Sequence, residues 1–309
     1  MGENSGGGRT GPLADPAWLA GGAAGLAAAV MALWAFRGLP LGPVLLWLAP
    51  MPLFMAGIGF GAGAAVGAMG IAAVAIYATG PAAALWIVVL GLAAPVAVLT
   101  AASARGRGNG RDLSLPLALA GILPALGILG AAFWLSDTPG GLEGMLRQLA
   151  RTGLRRFDIA GHAGLAGEIA RIKAAAIGLW LVVAWIGNAW VAGRAMAWLG
   201  IAPAPDWRAA RLPAWYIALP ILAGLAWLLA EAGEDAIELS LMLVLLLPLV
   251  LHGLAALHTR LVGRGERPVI LGAVYVALVV LFLPASLAMA GYGAFDLISS
   301  RKHGAPPRS

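Results

Sequence analysis

Hydrophobic residues run almost without interruption through the first third of the chain. Between Asp15 and Arg105 there is one charged residue, Arg37, in a stretch dominated by Ala, Gly, Leu, Val and Trp. A soluble domain of this length needs charged side chains on its surface, whereas a lipid bilayer excludes them. The pattern therefore predicts a polytopic integral membrane protein.

Similar apolar stretches recur along the rest of the chain, each close to the ~20 residues that a transmembrane helix needs. Their ends are placed at clusters of charge and of Pro and Gly. We expect an all-α transmembrane bundle of about nine spans, within a range of eight to ten. The boundary between the second and third spans is the least defined, because no charge falls there. The predicted spans are 17–36, 41–59, 60–79, 82–103, 114–136, 174–199, 213–231, 236–259 and 268–291.

These spans form a single predicted domain, residues 17–299. It is preceded by a disordered tail, 1–16, and followed by a basic tail, 300–309. A cleaved signal peptide is a weaker interpretation of the first apolar run, because the residues before it carry little positive charge.

One sizeable segment, 137–173, lies outside the spans and is amphipathic, with apolar residues at helical spacing. Glu143, Arg147, Arg151 and Arg155 form an i, i+4 row on another face. Two interpretations are open. The helix lies in the headgroup region with the three arginines towards anionic lipid, or it is a solvated connection between two spans.

Composition supports the membrane assignment and excludes several kinds of site. The chain is 61% hydrophobic and 11% charged, against ~25% charged in ordinary globular domains. It has no cysteine, which excludes disulfides and thiolate sites. Its four histidines show no metal-ligand spacing, so we expect no metal or cofactor. The net charge of +6 indicates cytoplasmic loops and anionic lipid rather than nucleic acid.

Loop charge gives a divided signal on orientation. With nine spans, the loops after the fourth, sixth and eighth spans fall on one side and are basic, which places the amino terminus in the cytoplasm. The segment 137–173 and the carboxy-terminal tail fall on the other side, yet both are basic as well. The loop residues concerned are Arg105, Arg107, Arg111, Arg208, Arg211, Arg260, Arg264 and Arg267, and those of the tail are Arg301, Lys302 and Arg308.

Small residues recur at every fourth position in two spans. Such ridges let a neighbouring helix approach closely in lipid, and they predict helix-packing faces or a contact for a partner membrane protein. A nucleotide-binding loop is excluded for the glycines, because no strand precedes them. The ridges are Gly59, Gly63 and Gly67 at the start of the third span, and Ala20, Ala24 and Ala28 in the first.

Polar residues inside spans are costly and are therefore candidates for function. Asn188, in the middle of the sixth span, either binds a solute or cross-links helices. Glu238 and His252 share one face of the eighth span and are candidates for a cation or proton site. Their separation of ~21 Å along the helix excludes direct contact. The alternatives are a membrane-end position for Glu238 and a backbone hydrogen bond for His252.

Motifs of membrane and soluble enzymes are missing from the sequence. There is no G-x-S-x-G, no G-x-S-G, no G-x-G-D and no Walker A lysine. The carboxylates are too dispersed for a paired acid and base. We expect that the protein is not an enzyme.

Three stretches together resemble the uncharacterised bacterial membrane proteins grouped as DUF2232, also called YybS-like, particularly the alphaproteobacterial type. They are Ala49-Pro-Met-Pro-Leu-Phe-Met-Ala-Gly-Ile-Gly-Phe-Gly61, Leu247-Pro-Leu-Val-Leu-His-Gly-Leu-Ala-Ala-Leu-His258, and Gly293-Ala-Phe-Asp296 followed by Arg301-Lys302. The chain departs from the family pattern between Asp296 and Arg301, where it has Leu-Ile-Ser-Ser.

This resemblance implies a bacterial inner-membrane protein with a distant similarity to the substrate-binding subunits of energy-coupling-factor transporters. The expected function is therefore transport-related, by binding or translocation of a small solute. The alternative is a non-enzymatic scaffold or assembly protein that binds partner proteins and anionic lipid. A membrane enzyme acting on a lipid-linked substrate is a third interpretation.

Overall fold

The computed structural model describes residues 15–104, 112–156, 163–207, 210–231 and 235–302. Within these ranges the regular structure is helical throughout, in eleven helices, which confirms the predicted all-α class. Most of the predicted tails, 1–16 and 300–309, lies outside the described residues, as do the loop residues Arg105, Arg107, Arg111 and Arg208.

The first five helices follow the predicted spans closely, because their ends coincide with Pro, Gly and charge. They are α1 (Pro16–Phe36), α2 (Gly42–Phe60), α3 (Ala62–Thr79), α4 (Ala82–Ser103) and α5 (Ser114–Trp134). The remaining helices are α6 (Gly141–Arg156), α7 (Ala163–Trp198), α8 (Ala214–Leu229), α9 (Ala236–Arg260), α10 (Arg267–Val280) and α11 (Phe282–Lys302).

Eight of these helices are long and apolar enough to cross a membrane: α1 to α5, α7, α9 and α11. Two shorter apolar helices, α8 and α10, accompany them. Large apolar side chains are exposed along their length, including Phe133 and Trp134 at the end of α5 and Trp198 at the end of α7. Because water does not tolerate apolar surface on this scale, these faces contact a lipid bilayer.

The helices form two compact units. Unit 1 comprises Met1–Arg111 with Ala184–Pro205, and unit 2 comprises Asp112–Val183 with Asp206–Ser309. The long helix α7 contributes its first part to unit 2 and its last part to unit 1.

Unit 1 is held together by contacts between small residues of α1 and α3. A Cβ placed on Gly21 would lie 2.9 Å from the Ala64 carbonyl oxygen, and one placed on Gly25 would overlap the Ala68 carbonyl. The backbones therefore touch, as small residues allow in a membrane. Gly61 ends α2 with φ of 95°, a conformation that glycine adopts without strain, and so fixes the boundary that the sequence left undefined.

Unit 2 packs α5, α7, α8 and α11 around α9. Gly121 of α5 lies against Pro248 of α9 and the hydroxyl of Tyr216, which donates a hydrogen bond of 3.0 Å to the Leu245 carbonyl. The proline inside α9 supplies no N–H to the Val244 carbonyl, and the Tyr216 hydroxyl adds a donor at the next carbonyl of the same turn.

Two predicted boundaries differ from the structure. Helix α7 begins at Ala163 rather than near 174, because Glu168, Arg171 and Lys173 interrupt the apolar run without interrupting a good helix-forming sequence. The predicted span 268–291 is two helices, separated at Leu281, where φ is −112° and ψ is 50°. Pro284 accounts for the break, because it supplies no N–H to a continuing helix and is tolerated in the first turn of a new one.

Candidate functional site

A non-helical segment precedes α8 and is partly buried in unit 2. Residues 210–213 have no regular structure, and Ala210 and Leu212 are almost inaccessible to solvent. The chain becomes helical at Ala214, and Tyr216 already lies beside Leu245. Leu245 is ~22 Å from the Arg260 end of α9, at ~1.5 Å per residue. Helix α8 therefore begins part-way along α9, and non-helical backbone continues alongside it.

His252 of α9 faces this non-helical segment. The Leu212 N–H donates to Nδ1 of His252 over 3.4 Å, so Nδ1 acts as acceptor and the proton of the neutral ring lies on Nε2. The side chain is 1% exposed, and it lies ~12 Å from the Arg260 end of the helix. The alternative of a backbone hydrogen bond for His252 agrees with this segment, where the imidazole contacts the Leu212 N–H and the backbone of Ala210.

Asp296 of α11 lies on the other side of the imidazole. Its Oδ2 is 3.4 Å from Nε2 of His252, within ion-pair distance, yet neither atom has a hydrogen-bond partner. Both atoms are buried. At 3.4 Å these two buried atoms interact, but they do not meet the geometry of a good hydrogen bond. A group that both donates and accepts would pair with them better than they pair with each other.

Two arginines share the Asp296 carboxylate. Arg260 donates through Nη2 to Oδ1 at 2.6 Å, and Nη1 of Arg211 lies 3.6 Å from Oδ2. The Arg260 guanidinium also lies over the ring of Tyr292, 5.2 Å from its centre. Both arginine side chains are about half exposed, whereas Asp296 is buried. With His252 neutral, two positive charges and one negative charge leave the group at +1.

A second charged group lies at the other end of α9. Asp235 accepts from Arg171 in a bidentate pair, with Nε to Oδ1 at 2.8 Å and Nη2 to Oδ2 at 2.5 Å, and from the Trp227 indole at 2.8 Å. The Arg171 guanidinium lowers the pKa of Asp235 below its ordinary value; burial acts in the opposite direction, and the indole adds to the lowering. These bonds connect α7, α8 and α9, and every oxygen of the carboxylate is satisfied.

Glu238 lies in the first turn of α9, close to this second group and far from His252. Its side chain is partly buried, and Oε2 has no hydrogen-bond partner. An acidic residue in this position is favoured by the helix dipole. The structure thus places Glu238 and His252 near opposite ends of the helix rather than in one site.

Asn188 lies in unit 1, in the contact between α7 and α2. Its amide donates to the carbonyls of Trp47 and Ala184, at 2.7 and 2.8 Å, while Oδ1 is buried without a partner. This geometry is that of a helix cross-link. One turn earlier, the Trp185 indole donates to the Gly91 carbonyl at 3.1 Å. Pro95, four residues after Gly91, has no N–H to supply that bond.

The two predicted small-residue ridges differ in how closely other residues pack against them. Gly59 is close to the side chains of Met196 and Ile201, but a Cβ on Gly63 would meet nothing within 4 Å and one on Gly67 would only touch Trp18. In α1, Ala24 and Ala28 are buried and Ala20 is partly buried.

The amphipathic helix α6 packs one apolar stripe against the other helices of unit 2. Leu142 and Leu146 pack with Ile128 of α5, with Ala170 and Ala174 of α7, and with Val244 of α9. Arg147 pairs with Glu143, and Arg151 and Arg155 are exposed on the same row. The end of the predicted segment around Phe157 lies outside the described residues.

The group formed by His252, Asp296, Arg260 and Arg211 was not assembled by sequence reasoning, which proposed His252 with Glu238 instead. One signal was available: Asp296 is the only carboxylate after Glu266 in the sequence, in a region rich in basic residues. Among the described residues, no three His, Asp or Glu side chains come together as metal ligands.

Comparison with known proteins gives no relative: no family model, no curated protein and no solved structure matches the chain.

Proposed function

We propose that this protein is a non-enzymatic, transport-related protein of the bacterial inner membrane, and that it binds a small solute at the His252–Asp296 site. The observation that carries the proposal is the non-helical segment 210–213 beside α9, in which Ala210 and Leu212 are buried and Arg211 is exposed. Irregular backbone at membrane depth is tolerated where it is enclosed by protein or lines a cavity.

The chemistry of the site favours a polar solute with an anionic group. Arg211 and Arg260 exceed the single Asp296 carboxylate in charge and are half exposed, and arginine pairs well with carboxylate and phosphate oxygens. Deeper in the site, a hydroxyl or amide of the solute could accept from Nε2 of His252 and donate to Oδ2 of Asp296.

Purification in mild detergent, followed by mass spectrometry of co-purifying small molecules, tests the proposal. We expect a solute in the native protein that is lost in Asp296→Asn and His252→Gln. His258→Gln is the matched control, because His258 lies on the same helix but outside the group, and this variant should retain the solute. Identical small-molecule profiles in the native protein and the three variants, all folded, would contradict the proposal.

The scaffold function is a second candidate, and helix α6 is the observation in its favour. Met145 and Leu149 are about half exposed beside the buried stripe of α6, and Arg151 and Arg155 are exposed on a further face. Apolar and basic faces side by side are typical of helices in the headgroup region. A scaffold should retain specific protein partners during purification, and Met145→Ser with Leu149→Ser should release them without affecting any bound solute.

A further inference from the structure

Helices α9 and α11 run in the same direction in unit 2. Gly253 of α9 contacts Met289 and Gly293 of α11 so closely that a Cβ on Gly253 would lie 2.5 Å from the Met289 carbonyl oxygen. Towards the end of α9, Arg260 pairs with Asp296. Residue numbers therefore rise together along both helices.

The opposite end of the contact agrees with this direction. Leu243, Leu246 and Leu247 of α9 line one apolar groove with the first turns of α11, at Phe282, Leu283, Ser286 and Leu287. Leu243 is ~11 Å from the start of α9, at ~1.5 Å per residue. Helix α11 thus begins beside the first half of α9, short of its Ala236 end. From there it runs parallel to α9 as far as the Arg260 end.

Since α9 and α11 are parallel, α10 must return the chain between them. It begins at Arg267, and the Tyr275 hydroxyl lies 3.4 Å from Nε2 of His258, near the end of α9. Its 14 residues extend ~21 Å, less than the ~30 Å hydrocarbon core. At Leu281 the helix ends and the chain reverses into α11.

We infer that α10 is a return segment, and that the carboxy-terminal tail lies on the same side of the membrane as the loop between α9 and α10. One continuous span over 268–291 would place the tail on the opposite side. The inference uses only the packing of unit 2 and is independent of the proposed solute.

This topology places the basic loop and the basic tail on one side. The loop carries Arg264 and Arg267 and the tail carries Arg301, Lys302 and Arg308. The other end of α9 carries both signs of charge, because Glu231 and Asp235 lie there with Arg171 and with the basic helix α6. The basic tail no longer conflicts with the basic loop, and the positive-inside rule places both in the cytoplasm. Arg211 and Arg260 of the candidate site lie at the same end, so the exposed edge of that site opens to the cytoplasm.

Single-cysteine labelling tests the inference in the full chain, and the natural sequence contains no cysteine that would interfere. Three variants report the three positions: Val262→Cys in the exposed loop, Ser309→Cys in the tail and Glu231→Cys at the exposed opposite end. Inside-out and right-side-out vesicles are treated with a membrane-impermeant maleimide.

We expect Val262→Cys and Ser309→Cys to react in inside-out vesicles, and Glu231→Cys only in right-side-out vesicles. Reaction of Ser309→Cys and Glu231→Cys in the same vesicle preparation, the right-side-out one, would overturn the inference. A full-length fusion to green fluorescent protein after Ser309 gives an independent answer. It should fluoresce, and an active alkaline phosphatase fusion at the same position would contradict the assignment.

Discussion

The imidazole of His252 and the carboxylate of Asp296 face each other inside unit 2, with Nε2 and Oδ2 3.4 Å apart and without a hydrogen bond between them. The two residues belong to α9 and α11, and they meet because these helices are parallel and in contact at Gly253 and Gly293. Each side chain is also held from its other side, His252 by Leu212 and Asp296 by Arg260. The pair is positioned by three separate segments of the chain.

Asp296→Asn should destabilise the protein, because it removes the charge that Arg211 and Arg260 share. Hydrogen bonds to charged groups contribute roughly 1.5–3 kcal/mol when buried, and the half-exposed arginines place the expected loss at the lower end of that range. Thermal unfolding in detergent measures it. Glu266→Gln, an exposed acid at the same end of the bundle, should change the midpoint little; equal losses in both variants would contradict the role of Asp296.

Gly293→Ala should separate α9 from α11, because the added Cβ would overlap the Leu249 carbonyl oxygen. Backbone atoms cannot yield as a flexible side chain can, so we expect a loss of about 1–3 kcal/mol, as in overpacked cores. Gly291→Ala is the control, since its Cβ meets nothing within 4 Å. Unfolding midpoints that fall equally in both variants would exclude a specific contact at Gly293.

Trp185→Phe should cost about 1–3 kcal/mol, because the Gly91 carbonyl loses its donor and the smaller ring leaves space at a buried position in unit 1. Gly91 lies in a π-helical stretch, Ile87–Ala93, and Pro95→Ala adds a backbone N–H four residues after it, in the position that an α-helix would use for this bond. The effect of Trp185→Phe should therefore be smaller in the Pro95→Ala background. A double-mutant cycle on unfolding free energies measures the coupling, and purely additive effects would argue against this explanation of the indole contact.

Acid should weaken the contact between Arg171 and Asp235. The pKa of Asp235 is lowered in the folded protein, so its stabilising effect is complete above the ordinary value of ~3.9 and is lost as the pH falls through the lower folded value. We expect the unfolding midpoint of the native protein to fall more between pH 5 and pH 3 than that of Asp235→Asn. Parallel pH profiles would show that this carboxylate contributes no acid sensitivity.

The sequence by itself determined the membrane class and most helix boundaries. A bilayer requires long apolar runs, and Pro, Gly and charge mark where those runs end. Local features account for both misplaced boundaries: charged residues that are good helix formers extended α7, and Pro284 divided the last predicted span.

Only the tertiary structure decided which residues meet. Glu238 and His252 share a helix face but are separated along its axis, whereas His252 and Asp296 are distant in sequence and adjacent in space. Gly21, Gly25, Gly253 and Gly293 are among the glycines that contact backbone, while Gly63 of the regular ridge has open space around it. Spacing along one helix defines its faces, but the direction and partner of each face depend on how separate helices pack, which local sequence does not encode.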